Sequence, residues 1–198
     1  MTAALPGLLT GLSLIVAIGA QNAYVLRQGL TRNHVGLVVA ICAVSDALLI
    51  AIGVSGVGAL VQDHPTAMTA LRWVGAAYLA GYGVRSLWSS RKSQALDPLE
   101  GRASGRRTVV TTTLALTYLN PHVYLDTVLM LGSIANQHEG GRWWFAAGAA
   151  VGSFLWFTSL GFGARAASQV MSRPATWRVL DVCIGVVMIA LAVRLLLG

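Results

Sequence analysis

The stretch Leu119-Asn-Pro-His-Val-Tyr-Leu-Asp126 interrupts an apolar segment long enough to cross a lipid bilayer, and Gly19-Ala-Gln-Asn-Ala-Tyr-Val25 interrupts another. Lipid cannot hydrogen-bond an unpaired backbone group, so polar breaks at membrane depth persist only where they face protein or a water-filled cavity. One such break in each half of a chain is the sequence pattern of a transporter's central binding site. The alternative is a pair of kinked helices whose amides are satisfied internally.

The two breaks differ in local sequence. Pro121 lacks an N–H and clashes with the carbonyl four residues earlier, so the helix is predicted to break near Asn120, whose side chain then caps the second half. Asn22 is predicted to cap less decisively, since Ala23 stands where the second segment has its proline. A half-helix N-terminus inside a bundle attracts anions such as the carboxylate of an amino acid.

The composition is that of an integral membrane protein. Only 11% of the 198 residues are charged and 56% are hydrophobic, whereas a soluble domain has about 25% charged residues. A spanning helix needs about 20 apolar residues, and the sequence predicts an all-α membrane protein with six transmembrane helices, of which helices one and four are interrupted. The predicted spans are 4–26, 34–61, 67–88, 108–134, 143–165 and 177–197.

The net charge of +7 does not indicate nucleic-acid binding, because the basic residues cluster near the ends of the predicted spans. The largest group lies in the connection after the third span, and fewer lie beside the first and fifth. The positive-inside rule therefore predicts cytoplasmic odd-numbered connections and both termini outside. The N-terminus has no basic region followed by a cleavage site, so no cleaved signal peptide is expected.

The chain divides near its middle at the linker 89–107, which is rich in serine, glycine and charge. Three predicted spans lie in 1–88 and three in 108–198. Because three is odd, the second half enters the membrane from the opposite face, and related halves would be inverted repeats. The breaks align on Asn22 and Asn120. In the third helix of each half, two pairs align at one constant offset: Ala76 with Gly185, and Arg85 with Arg194.

Small residues and cysteines inside the spans are predicted to serve packing. The pairs Gly7/Gly11 and Gly148/Gly152 have the spacing that lets membrane helices approach closely. Cys42 and Cys183 both fall inside spans, and the four histidines show no metal-ligand spacing, so neither a metal nor a cofactor is predicted.

Two acidic residues lie inside predicted spans, Asp46 in the middle of span two and Asp126 just after the second break. An ionised carboxylate at a helix centre costs about 2.5–3.5 kcal/mol. The partner that offsets this cost is predicted to be a transported cation, a proton or both. The alternative is a structural ion pair with Arg72 or Arg142. Asp63 and Asp181 lie near predicted membrane edges and are expected to be solvated or capping.

Aromatic and histidine side chains beside the breaks complete the candidate set. Tyr24 and Tyr124 could hold a cationic side chain against a ring face, and His122 could be a proton-sensitive neighbour or a satisfied buried histidine. The predicted substrate-binding residues are Gln21, Asn22, Tyr24, Asp46, Asn120, Pro121, Tyr124 and Asp126, with Asp46 and Asp126 as proton-coupling candidates.

Gly53-Val-Ser-Gly56 has the Gly-x-Ser-Gly pattern of the rhomboid intramembrane serine proteases. A nucleophilic serine needs a base within hydrogen-bond reach. In rhomboids that base is a histidine on the sixth core helix, and span six has none here. The protease therefore remains a remote alternative.

Several ordered motifs resemble the LysE/ArgO family of lysine and arginine exporters over essentially the whole chain. These are Gly19-Ala-Gln-Asn-Ala-Tyr-Val-Leu-Arg-Gln-Gly29, Ser45-Asp46, Leu71-Arg-Trp73, Leu119-Asn-Pro121 with Tyr124-Leu-Asp126, and Gly141-Arg-Trp143. Ala20 departs from the pattern, since relatives often carry proline there. The first break is accordingly expected to be less sharp.

The resemblance implies export of L-arginine and L-lysine across a bacterial inner membrane, driven by the proton-motive force by antiport. In this interpretation the substrate carboxylate lies near Asn22 and Asn120, and Asp46, with Asp126 second, meets the side-chain cation or exchanges a proton. The wider superfamily leaves two alternatives, an exporter of neutral amino acids of the threonine and homoserine type and a divalent-metal exporter. The oligomeric state stays open, a homodimer included.

Overall fold

The structure is a computed structural model that describes residues 2–16, 19–57, 65–92, 105–138, 140–167 and 174–197. Within these ranges the regular structure is helical, which confirms the predicted all-α class. The main helices are α1 (Ala4–Ile15), α2 (Ala20–Leu30), α3 (Val35–Ile52), α4 (Pro65–Lys92), α5 (Arg106–Tyr118), α6 (Pro121–Val123), α7 (Gly132–Asn136), α8 (Arg142–Ala166) and α9 (Pro174–Leu197). Wide turns continue α3 from Gly53 to Gly56, whose φ of 92° interrupts the helix there. A π-helical stretch joins α6 to α7 over Tyr124–Leu131. We call the continuous stretch 121–136 the post-break helix.

Three described helical segments are long and apolar enough to cross a membrane by length and composition, namely Val35–Gly56, Arg142–Ala166 and Arg178–Leu197. The pair α1 and α2 passes the same test together, although the two helices are inclined at 84°. Several large apolar side chains on these segments are exposed, among them Leu48 and Phe154. A multi-pass membrane protein accounts for such a surface, because lipid covers it.

Helix α1 packs against α8 through the two predicted glycine pairs. A Cβ added at Gly11 would stand 3.0 Å from the Cα of Ala149, and one at Gly152 would stand 3.2 Å from the Leu8 carbonyl oxygen. At Gly7 and Gly148 an added Cβ would collide with backbone of the facing helix. The prediction that these glycines permit close helix packing is confirmed.

Helix α2 continues along the same neighbour in the same direction. A Cβ at Gly29 would stand 2.5 Å from the Gly161 carbonyl oxygen and 2.6 Å from the Cβ of Ala164. Since α1 begins beside Phe145, the pair α1 and α2 follows α8 over about 28 Å at 1.5 Å per residue. That distance is close to the thickness of the hydrocarbon core. The contacts of α1 and α2 therefore advance in one direction along α8.

Helices α4 and α9 lie antiparallel and in close contact. An added Cβ at Gly83 would stand 3.0 Å from the carbonyl oxygen of Gly185, and one at Gly185 would stand 3.0 Å from that of Gly83. Nearer the end of α4, the Ser86 hydroxyl donates to the Asp181 carbonyl oxygen over 3.0 Å. Helix α4 runs past Ser89, where the predicted linker begins, to Lys92.

The prediction for Asp181 is wrong. Its side chain is fully buried, and its Oδ1 lies 3.2 Å from Nη2 of Arg27. Arg27 also donates from Nη1 to the Tyr82 hydroxyl over 3.2 Å. Asp181 lies close to the end of its predicted span, but Arg27 on α2 pairs with it. The positive charge of Arg27 offsets the free-energy cost of removing the Asp181 carboxylate from water. Asp63 lies outside the described residues.

A candidate binding site between the two helix breaks

The first break lies between Ile15 and Ala20. Gly19 precedes α2 in an extended conformation, with φ −120° and ψ 172°, and no side chain caps the helix there. Asn22 thus lies in the first turn of α2 and is not its cap, contrary to the sequence prediction. Its Nδ2 donates 2.7 Å to the Ile15 carbonyl oxygen, and its Oδ1 accepts 3.2 Å from Nε1 of Trp156. Asn22 therefore bridges the break and ties both of its sides to α8.

The second break forms as the sequence predicts. Asn120 is extended, and its Oδ1 accepts a hydrogen bond of 3.1 Å from the backbone N–H of His122, so it caps the post-break helix. Pro121 occupies the first helical position, where its missing N–H costs nothing. The Tyr124 hydroxyl donates 3.0 Å to the Tyr118 carbonyl oxygen and so satisfies the end of α5.

A cavity of about 270 Å³ lies between the two breaks, and we call it the break cavity. Its wall includes residues from both breaks and from α3, α4, α8 and α9. Five of the eight predicted site residues line it: Gln21, Asn22, Asp46, Asn120 and Asp126. The helix interruptions, which are more than 90 positions apart in the chain, thus open onto one space.

Asp46 contributes a buried carboxyl group to this cavity. Its side chain is 5% exposed, and its Oδ2 accepts a hydrogen bond of 2.7 Å from the Ser153 hydroxyl. Within the described part of the chain, neither Asp46 nor Asp126 forms an ion pair with Arg72 or Arg142. A neutral hydroxyl compensates a buried carboxylate only in part. The cavity therefore suits a cationic group or a proton at Asp46.

Gln21 adds a buried donor to the same wall, since its Nε2 is buried and without a hydrogen-bond partner. Arg194, on the last turn of α9, also lines the cavity and was not among the predicted site residues. The feature of the sequence that could have identified Arg194 as a site residue is its alignment with Arg85 in the other half of the chain. A cavity with carboxylates, an amide donor and a guanidinium can bind a ligand that carries charges of both signs.

Three predicted site residues are not part of the wall of the break cavity. Pro121 is buried, and the Tyr124 hydroxyl donates to the carbonyl oxygen of Tyr118 at the end of α5. Tyr24 is also buried, and its ring meets the Tyr82 ring edge-on at a centroid distance of 6.1 Å. His122, by contrast, does line the cavity. Among the described residues, no cluster of three or more His, Cys, Asp or Glu side chains could hold a metal ion.

A bundle of apolar helices that encloses a polar, charged cavity between two helix breaks is typical of a membrane transporter. Residues 12–198 match the family described as LysE type translocator. No solved structure matches the chain significantly.

Three relatives illustrate the similarity. The lysine exporter LysE of Corynebacterium diphtheriae is 40% identical over the full length of both chains. The arginine exporter ArgO of Enterobacter sp. is 38% identical, covering 96% of this chain and 90% of its own. That of Pectobacterium carotovorum is 37% identical, covering 96% and 95%. The chain belongs to the LysE family of amino-acid exporters.

Membership of this family makes the protein a transporter and not an enzyme, so the protease alternative is wrong. The geometry agrees, because the Ser55 hydroxyl donates to the Ile52 carbonyl oxygen of its own helix over 2.7 Å. That bond is the ordinary one of a helical serine.

Proposed function

We propose that this protein exports basic L-amino acids, arginine and lysine, across the bacterial inner membrane by antiport with protons. The observation that carries the proposal is that one cavity joins both helix breaks to the buried carboxylate of Asp46. Relatives named as lysine and arginine exporters support the choice of substrate.

The proposed architecture is six transmembrane spans in two inverted three-helix repeats, 1–88 and 108–198, joined by the linker 89–107. The reciprocal contact of Gly83 with Gly185 supports it. In the alignment that pairs Arg85 with Arg194, Gly83 corresponds to Ala192 and Gly185 corresponds to Ala76. Both alanines belong to one buried cluster. If the third helices of the two halves are antiparallel and related by a two-fold axis, corresponding residues of both helices lie in the interface between them.

The substrate's cationic side chain is proposed to meet Asp46, with Asp126 as the second acid on the wall. The α-carboxylate of the substrate is proposed to lie near Asn120 and Asn22, where Arg194 supplies a positive charge. The Asp46 carboxylate is the proposed carrier of the proton, since Ser153 alone leaves it partly uncompensated. Substrate cation and proton would then compete for one group, which is the simplest basis for exchange.

The proposed orientation puts the linker in the cytoplasm and both termini outside. The linker side of the helices carries Arg27, Arg85, Arg106 and Arg165. The opposite side carries Arg72, Arg142 and Arg194. The excess on the linker side supports this orientation by the positive-inside rule.

The test is counterflow of labelled arginine, lysine and threonine in proteoliposomes, with wild type and Asp46→Asn. We expect arginine and lysine to exchange and threonine not to. Asp46→Asn should reduce arginine exchange by more than about tenfold, because removing one partner of a buried charge contact costs about 2–5 kcal/mol. Cys183→Ser, on the exposed face of α9, is the control variant.

Full arginine exchange by Asp46→Asn with unchanged pH dependence would remove Asp46 from the mechanism. Exchange of threonine in preference to arginine would favour the neutral amino-acid exporter instead.

A further inference from the structure

A second cavity, of about 580 Å³, lies on the linker side of the break cavity, between α2, the second half of α4 and the start of α5. We call it the linker-side cavity. It extends along α4 from Ala77 to Ser89, whereas the break cavity meets α4 at Leu79 and α9 at residues 191–195, close to Gly75. The two cavities therefore adjoin beside Leu79. The first turn of α2 separates them, since Asn22 lines one cavity and Tyr24 lines the other.

The two cavities occupy equivalent positions in the two halves of the chain. At the offset that aligns Asn22 with Asn120, Tyr24 corresponds to His122 and Gln28 to Asp126. At the offset that aligns Arg85 with Arg194, Tyr82 corresponds to Leu191 and Ser86 to Leu195. In all of these pairs except the asparagines, the first member lines the linker-side cavity and the second lines the break cavity.

Gln28 is the residue of the linker-side cavity that points to a ligand. It is 4% exposed, and its Oε1 is buried without a hydrogen-bond partner. A buried acceptor left unpaired costs about 1–3 kcal/mol. An ammonium group in the cavity would supply the missing donor, as a cation would at the equivalent Asp126.

The arginines of this cavity have different surroundings. Arg27 is engaged by Asp181 and Tyr82. Arg85 is exposed to the cavity and forms no ion pair within the described ranges. A carboxylate is the natural partner of its guanidinium. The ring of Tyr78 completes a wall on which a cationic side chain can rest.

We propose that the linker-side cavity is a second binding site for the exported basic amino acid, occupied before the substrate reaches the break cavity. The α-ammonium donates to Gln28 Oε1, the α-carboxylate pairs with Arg85, and the cationic side chain lies against the tyrosine rings. The volume is within the range of about 300–1,000 Å³ that small-molecule sites have. This inference rests on the proposed export of basic amino acids.

The test is protection of an introduced thiol. Gly81 lines the cavity, and a Cβ added there meets nothing within 4 Å, so Gly81→Cys fits. The exposed Cys183 is replaced by alanine, and the buried Cys42 is kept. Gly36→Cys, at an equally open glycine outside both cavities, is the matched control.

A membrane-impermeant methanethiosulfonate is applied to the linker side of inside-out vesicles, with and without arginine. At ten times its Kd, arginine should slow labelling of Gly81→Cys about elevenfold, because the unoccupied fraction of the site falls by that factor. Labelling of Gly36→Cys should not change. Equal rates for Gly81→Cys with and without arginine would overturn the inference.

Two variants distinguish arginine bound in the linker-side cavity from an indirect effect of arginine bound in the break cavity. Protection should persist in Asp46→Asn, whose lesion is in the break cavity, and should be lost in Gln28→Leu. The opposite pattern would mean that protection comes from the break cavity and would also overturn the inference. If wild type exchanges arginine in proteoliposomes but arginine protects no thiol, only the second site is wrong. If wild type exchanges no basic amino acid, the proposed function itself fails.

Discussion

The first helix break is held together by residues far apart in the chain, whereas the second is held by its own neighbours. Asn22 joins Ile15 on one side of the first break to Trp156 on α8. At the second break, Asn120 caps the helix two residues onward, and Tyr124 reaches back to Tyr118. Two segments that align in sequence thus use different physical means to interrupt a helix.

The difference teaches that a break without proline depends on tertiary support. Pro121 forbids a continuous helix by itself, because it removes a donor and clashes with the preceding turn. The first break has no such residue, so its unpaired groups must find partners on another helix. Its stability should therefore depend on the contact between α1 and α8, and the following substitutions test this from the largest effect to the smallest.

Gly148→Leu should have the largest effect. An added side chain would collide with the backbone of α1 at Ala4 and drive the helix away from α8. Overpacking of this kind costs about 1–3 kcal/mol or more. We expect a large loss of folded, monodisperse protein and a lower melting temperature in detergent. Gly163→Leu, at an exposed glycine with open space around it, is the control on the same helix. Equal stability of the two variants would contradict the role of the α1–α8 contact.

Ala23→Pro should be the next most damaging. Although Ala23 aligns with Pro121, its backbone N–H donates 3.1 Å to the Gly19 carbonyl oxygen. Proline there removes that bond and inserts its ring into the preceding turn, at a cost of about 3 kcal/mol. Thermal unfolding would measure the loss, with Ala23→Ser as a control that keeps the N–H. An undisturbed Ala23→Pro would mean that α2 begins later than Ala20.

Asn22→Ala should destabilise the protein more than Asn120→Ala. The first substitution removes the hydrogen bonds of two partly buried groups, the Ile15 carbonyl and the Trp156 indole, at about 1–3 kcal/mol in total. The second loses one capping bond, worth about 1 kcal/mol. Denaturation in mild detergent would rank the two, with Asn136→Ala at an exposed position as the reference. The reverse ranking would mean that the second break also depends on distant contacts.

Ala20→Pro should have the smallest effect and the opposite sign. Ala20 is the first residue of α2, and Gly19 before it is extended, as a residue preceding proline prefers. Proline suits this helical position and should raise stability by up to about 1 kcal/mol by restricting the unfolded chain. A rise in melting temperature beside the fall for Ala23→Pro would locate the break at Gly19. A fall in both would show that the buried surroundings of Ala20 leave no room for the ring.

What could be predicted from sequence follows the same division. Pro121 and Asn120 act on residues within a few positions, so the second break and its cap could be predicted. Five predicted site residues meet at the break cavity because polar side chains inside apolar spans have few alternatives to an internal cavity.

The remaining features depend on contacts between helices. Asn22 lies 134 positions from its partner Trp156. The pairing of Asp181 with Arg27 likewise depends on how α2 packs against α9. Arg194 near the end of its span could equally have been an interfacial arginine. Distances along the chain do not encode these pairings, so only the packed structure reveals them.

One turn of α8 contacts both the buried carboxyl group of Asp46 and the first helix break. Ser153 and Trp156 lie within one turn of α8, and they donate to Asp46 and to Asn22 respectively. Any shift of α2 relative to α8 that alters the surroundings of Asp46 changes its affinity for a proton, and by reciprocity the proton then alters the preferred position of α2 by the same free energy. The proposed protonation of Asp46 and the position of α2 would then be linked through a single turn in the middle of α8.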